Sequence, residues 1–107
     1  MEKTSEPSGN GNGFFYLERI LGAEQMGEKC SLYAKVTIPP NASVGYHEHH
    51  GNAESYFILS GEGVYDDNGV KRTVKAGDST WTADGSGHSL ENTGKTDLVF
   101  MALIINS

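Results

Sequence analysis

Residues 45–61, GYHEHHGNAESYFILSG, contain three of the chain's four histidines and a run of strand-forming residues. Within this stretch, Gly51-Asn52 separates residues 45–50 from residues 53–60. A Gly-Asn dipeptide suits the positive-φ turns that close tight β-hairpins. The stretch therefore predicts two strands joined by a two-residue loop.

The predicted hairpin brings two histidines and a carboxylate together. With a two-residue loop, His49 faces Glu54 and His47 faces Tyr56 across the ladder. Because side chains alternate with period two, these four share one face and His50 lies on the other. Opposed residues have Cβ atoms about 4.5–5.5 Å apart, close enough for an imidazole and a carboxylate to reach one ion. This three-ligand face depends on register, since a one-residue shift would turn Glu54 away.

Two segments resemble a known pair of sequence motifs. The first reads Asn41, five residues, His47-x-His49, four residues, Glu54, six residues, Gly61. The second reads Gly77, five residues, Ala83-x-Gly85, two residues, His88, three residues, Asn92. These spacings resemble the two motifs of the cupin family. Asn41 stands where the first motif usually has Gly, and Ala83 where the second usually has Pro. Neither is a ligand position, so the departures concern loop rigidity.

The resemblance implies a fold, a metal and a class of function. The fold would be all-β, a double-stranded β-helix or jelly-roll β-barrel, and the metal ligands would be His47, His49, Glu54 and His88. Three imidazoles and one carboxylate, without a thiolate, suit one divalent transition metal: Fe, Mn, Ni, Zn or Cu. The chain would be a small metalloenzyme of isomerase, dioxygenase, decarboxylase or lyase type acting on a small polar molecule. The alternative is a non-catalytic cupin that binds or senses a small ligand and holds a structural metal.

The rest of the chain also favours an all-β fold. Asp67-Asn68-Gly69 predicts a second hairpin, because Asn-Gly is a strong two-residue turn signal. Further strands are predicted at residues 32–38, 80–82, 88–92 and 98–105. Residues 17–26 come nearest to a helix, but they contain Gly22 and are expected to form a short extended segment with a turn.

Length and charge limit the organisation and the partners of the chain. A chain of 107 residues has room for one domain, predicted at residues 14–107. Residues 1–13 are nearly all polar or Gly and are predicted to form a disordered N-terminal tail. The net charge of -6 without a Lys/Arg cluster argues against nucleic acid. No apolar run reaches the roughly 20 residues that span a bilayer. Without a secretory signal pattern, the expected location is cytoplasmic.

Three aromatic residues are candidates for a substrate pocket: Tyr33, Tyr56 and Trp81. The alternative is that they are ordinary core, which is the commoner fate of aromatic residues in a small barrel. Besides the metal ligands, only Tyr33, Tyr56 and His50 could act as acid or base, so no catalytic residue is assigned. The apolar run at residues 98–105 lacks alternation, which predicts that both of its faces are covered, one of them by the partner in a homodimer.

Overall fold

A computed structural model describes residues 3–107 of the protein. It contains ten strands and one short helix: β1 Lys3–Pro7, β2 Phe14–Arg19, α1 Ala23–Met26, β3 Cys30–Ile38, β4 Ser43–Glu48, β5 Asn52–Ser60, β6 Glu62–Asp67, β7 Val70–Lys75, β8 Ser79–Thr82, β9 Gly87–Asn92 and β10 Leu98–Asn106. Over residues 17–26, the extended segment predicted there ends at Arg19 and is followed by the helical turn α1.

The strands form two antiparallel sheets. One has six strands in the order β1-β2-β3-β10-β5-β8, and the other has four in the order β4-β9-β6-β7. Strands that are neighbours in a sheet are mostly distant in sequence, as when β10 lies between β3 and β5. The prediction of an all-β jelly-roll barrel is confirmed.

The core lies between the two sheets. The six-stranded sheet contributes Ala34, Val36 and Phe100, and the four-stranded sheet contributes Tyr65 and Leu90, none more than 2% exposed. Alternate residues of each strand point inward, as a half-buried sheet requires. Burying a large apolar side chain stabilises the fold by about 1.5–3 kcal/mol.

The second predicted hairpin is confirmed. β6 and β7 pair with Asp67 opposite Val70, which leaves Asn68 and Gly69 as the two-residue turn. Their φ angles are 50° and 97°, the positive values that a type I′ turn needs and that Asn and Gly tolerate best. Asp66 supports the turn by accepting a hydrogen bond from the Gly69 N–H at 2.8 Å.

The first predicted hairpin is wrong. β4 pairs with β9, while β5 pairs with β10 and β8, so β4 and β5 belong to different sheets. Gly51 does adopt a positive φ of 82°, but the turn there passes the chain from one sheet to the facing one. The turn at Gly51 was therefore predicted correctly, but the predicted pairing of β4 with β5 was not.

The N-terminal segment is ordered, contrary to the predicted tail. β1 pairs with β2, and the Gly45 N–H of β4 donates to the Ser8 carbonyl at 2.9 Å. A Cβ on Gly45 would lie 2.4 Å from the Gly11 nitrogen, so only glycine allows this approach. The prediction of disorder is therefore wrong for residues 3–13, where backbone hydrogen bonds stabilise a polar segment. Met1 and Glu2 lie outside the described residues.

The C-terminal strand β10 is central in the six-stranded sheet. Its burial alternates after all: Leu98, Phe100 and Ala102 are buried, while Val99 and Met101 on the other face are half-buried. β3 and β5 pair with the two edges of β10 and do not cover its outer face, so a partner subunit against that face stays a prediction. Within residues 3–107, no helix is long and apolar enough to cross a membrane.

Candidate metal centre

Three histidines and one carboxylate meet between the two sheets. His47 of β4 and His88 of β9 are register partners in the four-stranded sheet. Glu54 reaches them from β5 of the six-stranded sheet. His49 follows the end of β4. The four residues predicted from the sequence do come together, but through facing sheets and not through the ladder of a hairpin.

Hydrogen bonds to the loop before β9 fix the position of His49. Its N–H donates to the Ser86 carbonyl at 2.9 Å, and its own carbonyl accepts from the Gly85 N–H at 2.6 Å. Asp84 accepts from the Gly51 N–H at 2.9 Å. The chain leaves the sheet at His49, so these contacts replace the ladder that would otherwise orient the side chain.

The ligand atoms converge on one point. The Nε2 atom of His88 lies 3.1 Å from the Nε2 atoms of both His47 and His49. Oε1 of Glu54 lies 3.0 Å from Nε2 of His49 and of His88, and 3.8 Å from Nε2 of His47. All four atoms lie within 4.8 Å of one another. Such a cluster has the dimensions of one coordination sphere.

The other ring nitrogens show which tautomer two of the histidines adopt. Nδ1 of His47 lies 2.8 Å from the Gly45 carbonyl, and Nδ1 of His49 lies 2.7 Å from Oδ1 of Asn52. Both oxygens can only accept, so each Nδ1 donates a proton. In the neutral imidazole, Nε2 then has a free lone pair directed into the cluster. Metal-binding histidines are oriented in this way.

Two buried hydroxyls support His88. Its Nδ1 lies 2.8 Å from the Tyr65 hydroxyl and 2.8 Å from Oγ1 of Thr82, and these two hydroxyls also contact each other. Both side chains are fully buried. The sequence reasoning missed Tyr65 and Thr82, as well as Asn52, which it treated only as a turn residue. Inward alternation along β6 and β8 could have placed Tyr65 and Thr82 in the interior but not beside His88.

Burial and the interactions with Glu54 shift the pKa values of the cluster. Burial raises the pKa of Glu54, but its interactions with His47 and His88 outweigh burial and bring that pKa down to about 2. The interaction with Glu54 raises the pKa of His47 above its usual value. Burial lowers the pKa of His88. At neutral pH the cluster therefore has an ionised carboxylate and a fully buried neutral imidazole.

This donor set fits a divalent transition metal. Lone pairs of neutral imidazoles and a carboxylate would repel one another at these distances without a cation between them. Imidazole and carboxylate together suit Mn, Fe, Ni, Cu and Zn, and no thiolate narrows the choice. Glu54 and His88 are 4% and 0% exposed, so an ion there would be shielded from water on their side.

A cavity of about 410 Å³ opens onto the cluster. His47, His49 and Glu54 form part of its wall, together with Tyr56, while the fully buried His88 lies behind them. The rest of the wall is apolar, apart from residues 8–10 of the N-terminal segment and Tyr46. Asn10 attaches that segment to β4 by donating to the Tyr46 carbonyl at 3.0 Å.

Of the three aromatic residues predicted to line a substrate pocket, one lines the cavity and two do not. Tyr56 is buried, lines the cavity and stacks on His88 with ring centroids 4.9 Å apart. Tyr33 and Trp81 alternate with inward residues and lie on the outer face of the six-stranded sheet, with Trp81 55% exposed. The prediction that these two line the pocket is therefore wrong. His50 points to solvent beside Glu48, as expected.

Comparison with known proteins agrees with this geometry. The model of the cupin domain family matches residues 34–104. The chain belongs to the cupin family. It is 48% identical over 95 residues to a Thermotoga maritima protein named oxalate-binding protein, and the match covers 89% of this chain and 78% of that protein.

Solved structures superpose on most or all of this chain. A Thermotoga maritima crystal structure, described as that of a predicted oxalate decarboxylase, is similar with a TM-score of 0.92 and 46% identity, covering 99% of this chain and 91% of that one. A Schizosaccharomyces pombe cupin domain is similar with a TM-score of 0.80 at 16% identity, covering 87% of this chain and 61% of that one. The second likeness concerns the fold alone.

Proposed function

We propose that this cupin holds one divalent transition metal with His47, His49, Glu54 and His88 and uses it to bind a small molecule through oxygen atoms. The observation behind the proposal is the convergence of the four ligand atoms at the wall of a cavity large enough for a small organic ligand. The metal would be Fe, Mn, Ni, Zn or Cu. Binding of a small molecule is also what the name of the Thermotoga relative states for that protein.

The chain's own residues would orient the ligand. A bound metal supplies a Lewis acid and open coordination positions. His47, His49 and Glu54 line the cavity, so a ligand would reach a metal held by these residues from that side. Burial raises the pKa of Tyr56 well above its usual value, so its hydroxyl keeps its proton and can donate a hydrogen bond but cannot act as a base at neutral pH. The residues that line the cavity within positions 3–107 include no other Asp or Glu and no Lys, Arg or Cys.

Titration calorimetry with metal-free and Mn-loaded protein tests this function. Oxalate is the probe, because it chelates through two oxygens and because of the name of the relative. We expect saturable binding to the Mn-loaded wild type and to His50→Ala, the matched control, since His50 is exposed and outside the cluster. Metal-free protein and His47→Ala should not bind. Equal binding by metal-free and Mn-loaded protein would refute a role for the metal.

A metalloenzyme is the second candidate. Its support is the accessible cavity beside the cluster, which a purely structural metal would not need. A panel of isomerase, dioxygenase, decarboxylase and lyase substrates, tested with Mn- and Fe-loaded protein, distinguishes a metalloenzyme from a binding module. Turnover that is lost in His47→Ala and kept in His50→Ala indicates an enzyme. Loss of thermal stability alone in His47→Ala indicates a structural metal in a binding module.

A homodimer would use the outer face of the six-stranded sheet. Exposed apolar side chains cluster there on the neighbouring strands β5 and β8: Phe57 is 48% exposed and Trp81 is 55% exposed. A second copy of the chain would remove them from water. Phe57→Asp should then convert a dimer to a monomer in light scattering, whereas Val70→Asp on the other sheet should not. A monomeric wild type would contradict the proposal.

A cytoplasmic location stays a prediction.

A further inference from the structure

The cavity beside the cluster has a strongly uneven lining. Part of the lining consists of the metal-binding side chains, and another part, the apolar wall, is formed by Phe15, Leu17, Leu32, Val36, Phe100 and Ile104. Phe15 and Leu32 pack against the core yet stay partly accessible. A ligand that reached only the cluster would leave the accessible parts of Phe15, Leu32 and Ile104 facing water.

The size of the cavity exceeds that of a bare chelating group. Its volume of 410 Å³ corresponds to about a dozen non-hydrogen atoms, taking the roughly 30 Å³ that one water occupies in the liquid. Oxalate has only two carbons and four oxygens, and none of its surface is apolar. The space therefore fits a ligand with a chelating end and an apolar body.

Charge also argues against a dianion. A divalent ion held by one carboxylate and three neutral imidazoles leaves a single positive charge. A ligand with one negative charge neutralises it, whereas a dianion leaves an excess negative charge beside an apolar lining. No Lys or Arg among the described residues lines the cavity to offset that excess.

We infer that the cavity selects a monoanionic chelator with an apolar body, of the class of 2-oxo acids with a branched side chain, over oxalate. This inference rests on the proposed function, because the metal must hold the chelating end. The 2-oxo carboxylate group would bind the metal through two oxygens. The side chain would lie against Leu32 and Phe15, with the N-terminal residues 8–10 at the rim.

Calorimetry on Mn-loaded protein compares three probes: oxalate, pyruvate and 4-methyl-2-oxopentanoate. Pyruvate has the same chelating group as the last probe and lacks three of its carbons. Each buried carbon favours binding about fourfold, so the longer acid should bind at least about tenfold more tightly than pyruvate. It should also bind more tightly than oxalate.

Two variants test whether Leu32 is responsible for the preference for the longer oxo acid. Leu32→Asn should bring the two oxo acids to within about threefold of each other while one metal per chain is retained. Leu21→Asn, at an exposed position outside the cavity, should leave the preference unchanged. If Leu32→Asn does not fold, the comparison of probes on the wild type decides.

The results separate this inference from the proposed function. Metal-dependent binding of all three probes, with pyruvate or oxalate as tight as the longer acid, overturns the inference and leaves the proposed function standing. Absence of metal binding, or ligand binding that needs no metal, overturns both.

Discussion

Removal of the two hydroxyls beside His88 gives a graded test of the metal centre. Nδ1 of His88 is 2.8 Å from the Tyr65 hydroxyl and 2.8 Å from Oγ1 of Thr82. When Nε2 binds a cation, Nδ1 carries the ring proton and can donate it to one of these oxygens. Either hydroxyl alone can accept that proton. Tyr65→Phe and Thr82→Val should therefore each weaken metal binding by less than about twofold, a small part of the loss expected when a ligand's outer partner is removed entirely.

The double variant should lose much more than the product of the two single losses. With neither hydroxyl present, the Nδ1 proton of a fully buried ring has no acceptor. Loss of such an outer partner typically costs 10–100-fold in metal affinity, or about 1.4–2.8 kcal/mol. Chelator competition measures the affinity of each protein, and urea unfolding of the metal-free forms separates affinity from stability. Thr37→Val on β3, outside the cluster, is the control for loss of a threonine hydroxyl.

Two outcomes would contradict this reasoning. Unchanged affinity in the double variant would show that His88 needs no oriented proton, and therefore that it does not bind metal through Nε2. Equal and full loss in each single variant would show that the two hydroxyls act in series and not as alternatives.

Two further predictions concern acid and the N-terminal segment. Metal should leave the protein as the pH falls from 7 towards 5, because imidazoles must lose their proton to bind. His47, whose pKa is raised, should protonate before His88, whose pKa is lowered, while Glu54, with a pKa of about 2, stays ionised. Full metal retention after dialysis at pH 4.5 would contradict this. Gly45→Ala should push residues 8–13 off β4, since the new Cβ would meet the Gly11 backbone at 2.4 Å. Limited proteolysis should then cut this segment faster, and unfolding should cost about 1–3 kcal/mol less. Gly94→Ala, where a Cβ meets nothing nearer than 3.4 Å, should change neither, and equal behaviour of the two variants would count against the docking of this segment.

Local signals in the sequence predicted local structure well. The Asn68-Gly69 turn was correct because its residues satisfy the positive φ values by themselves. The strand predicted at residues 32–38 ends before Pro39, because proline lacks the backbone N–H that a ladder needs. By contrast, β5 pairs with β10, about fifty residues away, and nothing within residues 45–61 specifies that partner. The hairpin model was wrong on this point.

The site was predicted more reliably than the pairing that was meant to explain it. Period-two alternation puts His47 and Glu54 on the inner faces of their strands, whichever strands pair with them. The prediction for Tyr33 and Trp81 rested on their aromatic residue type, which does not say which face of β3 or β8 lies inside. The N-terminal prediction failed because polar composition does not report backbone hydrogen bonds such as that from Gly45 to Ser8.

The metal content of the protein tests the central proposal most directly. Elemental analysis should be carried out on protein purified without chelator and without a metal-binding tag, then equilibrated with excess Mn and desalted. We expect about one metal ion per chain in the wild type and in His50→Ala, and loss of most of it in His47→Ala and Glu54→Gln proteins that remain folded. Wild type without metal, or folded His47→Ala and Glu54→Gln proteins with as much metal as wild type, would contradict the proposed centre.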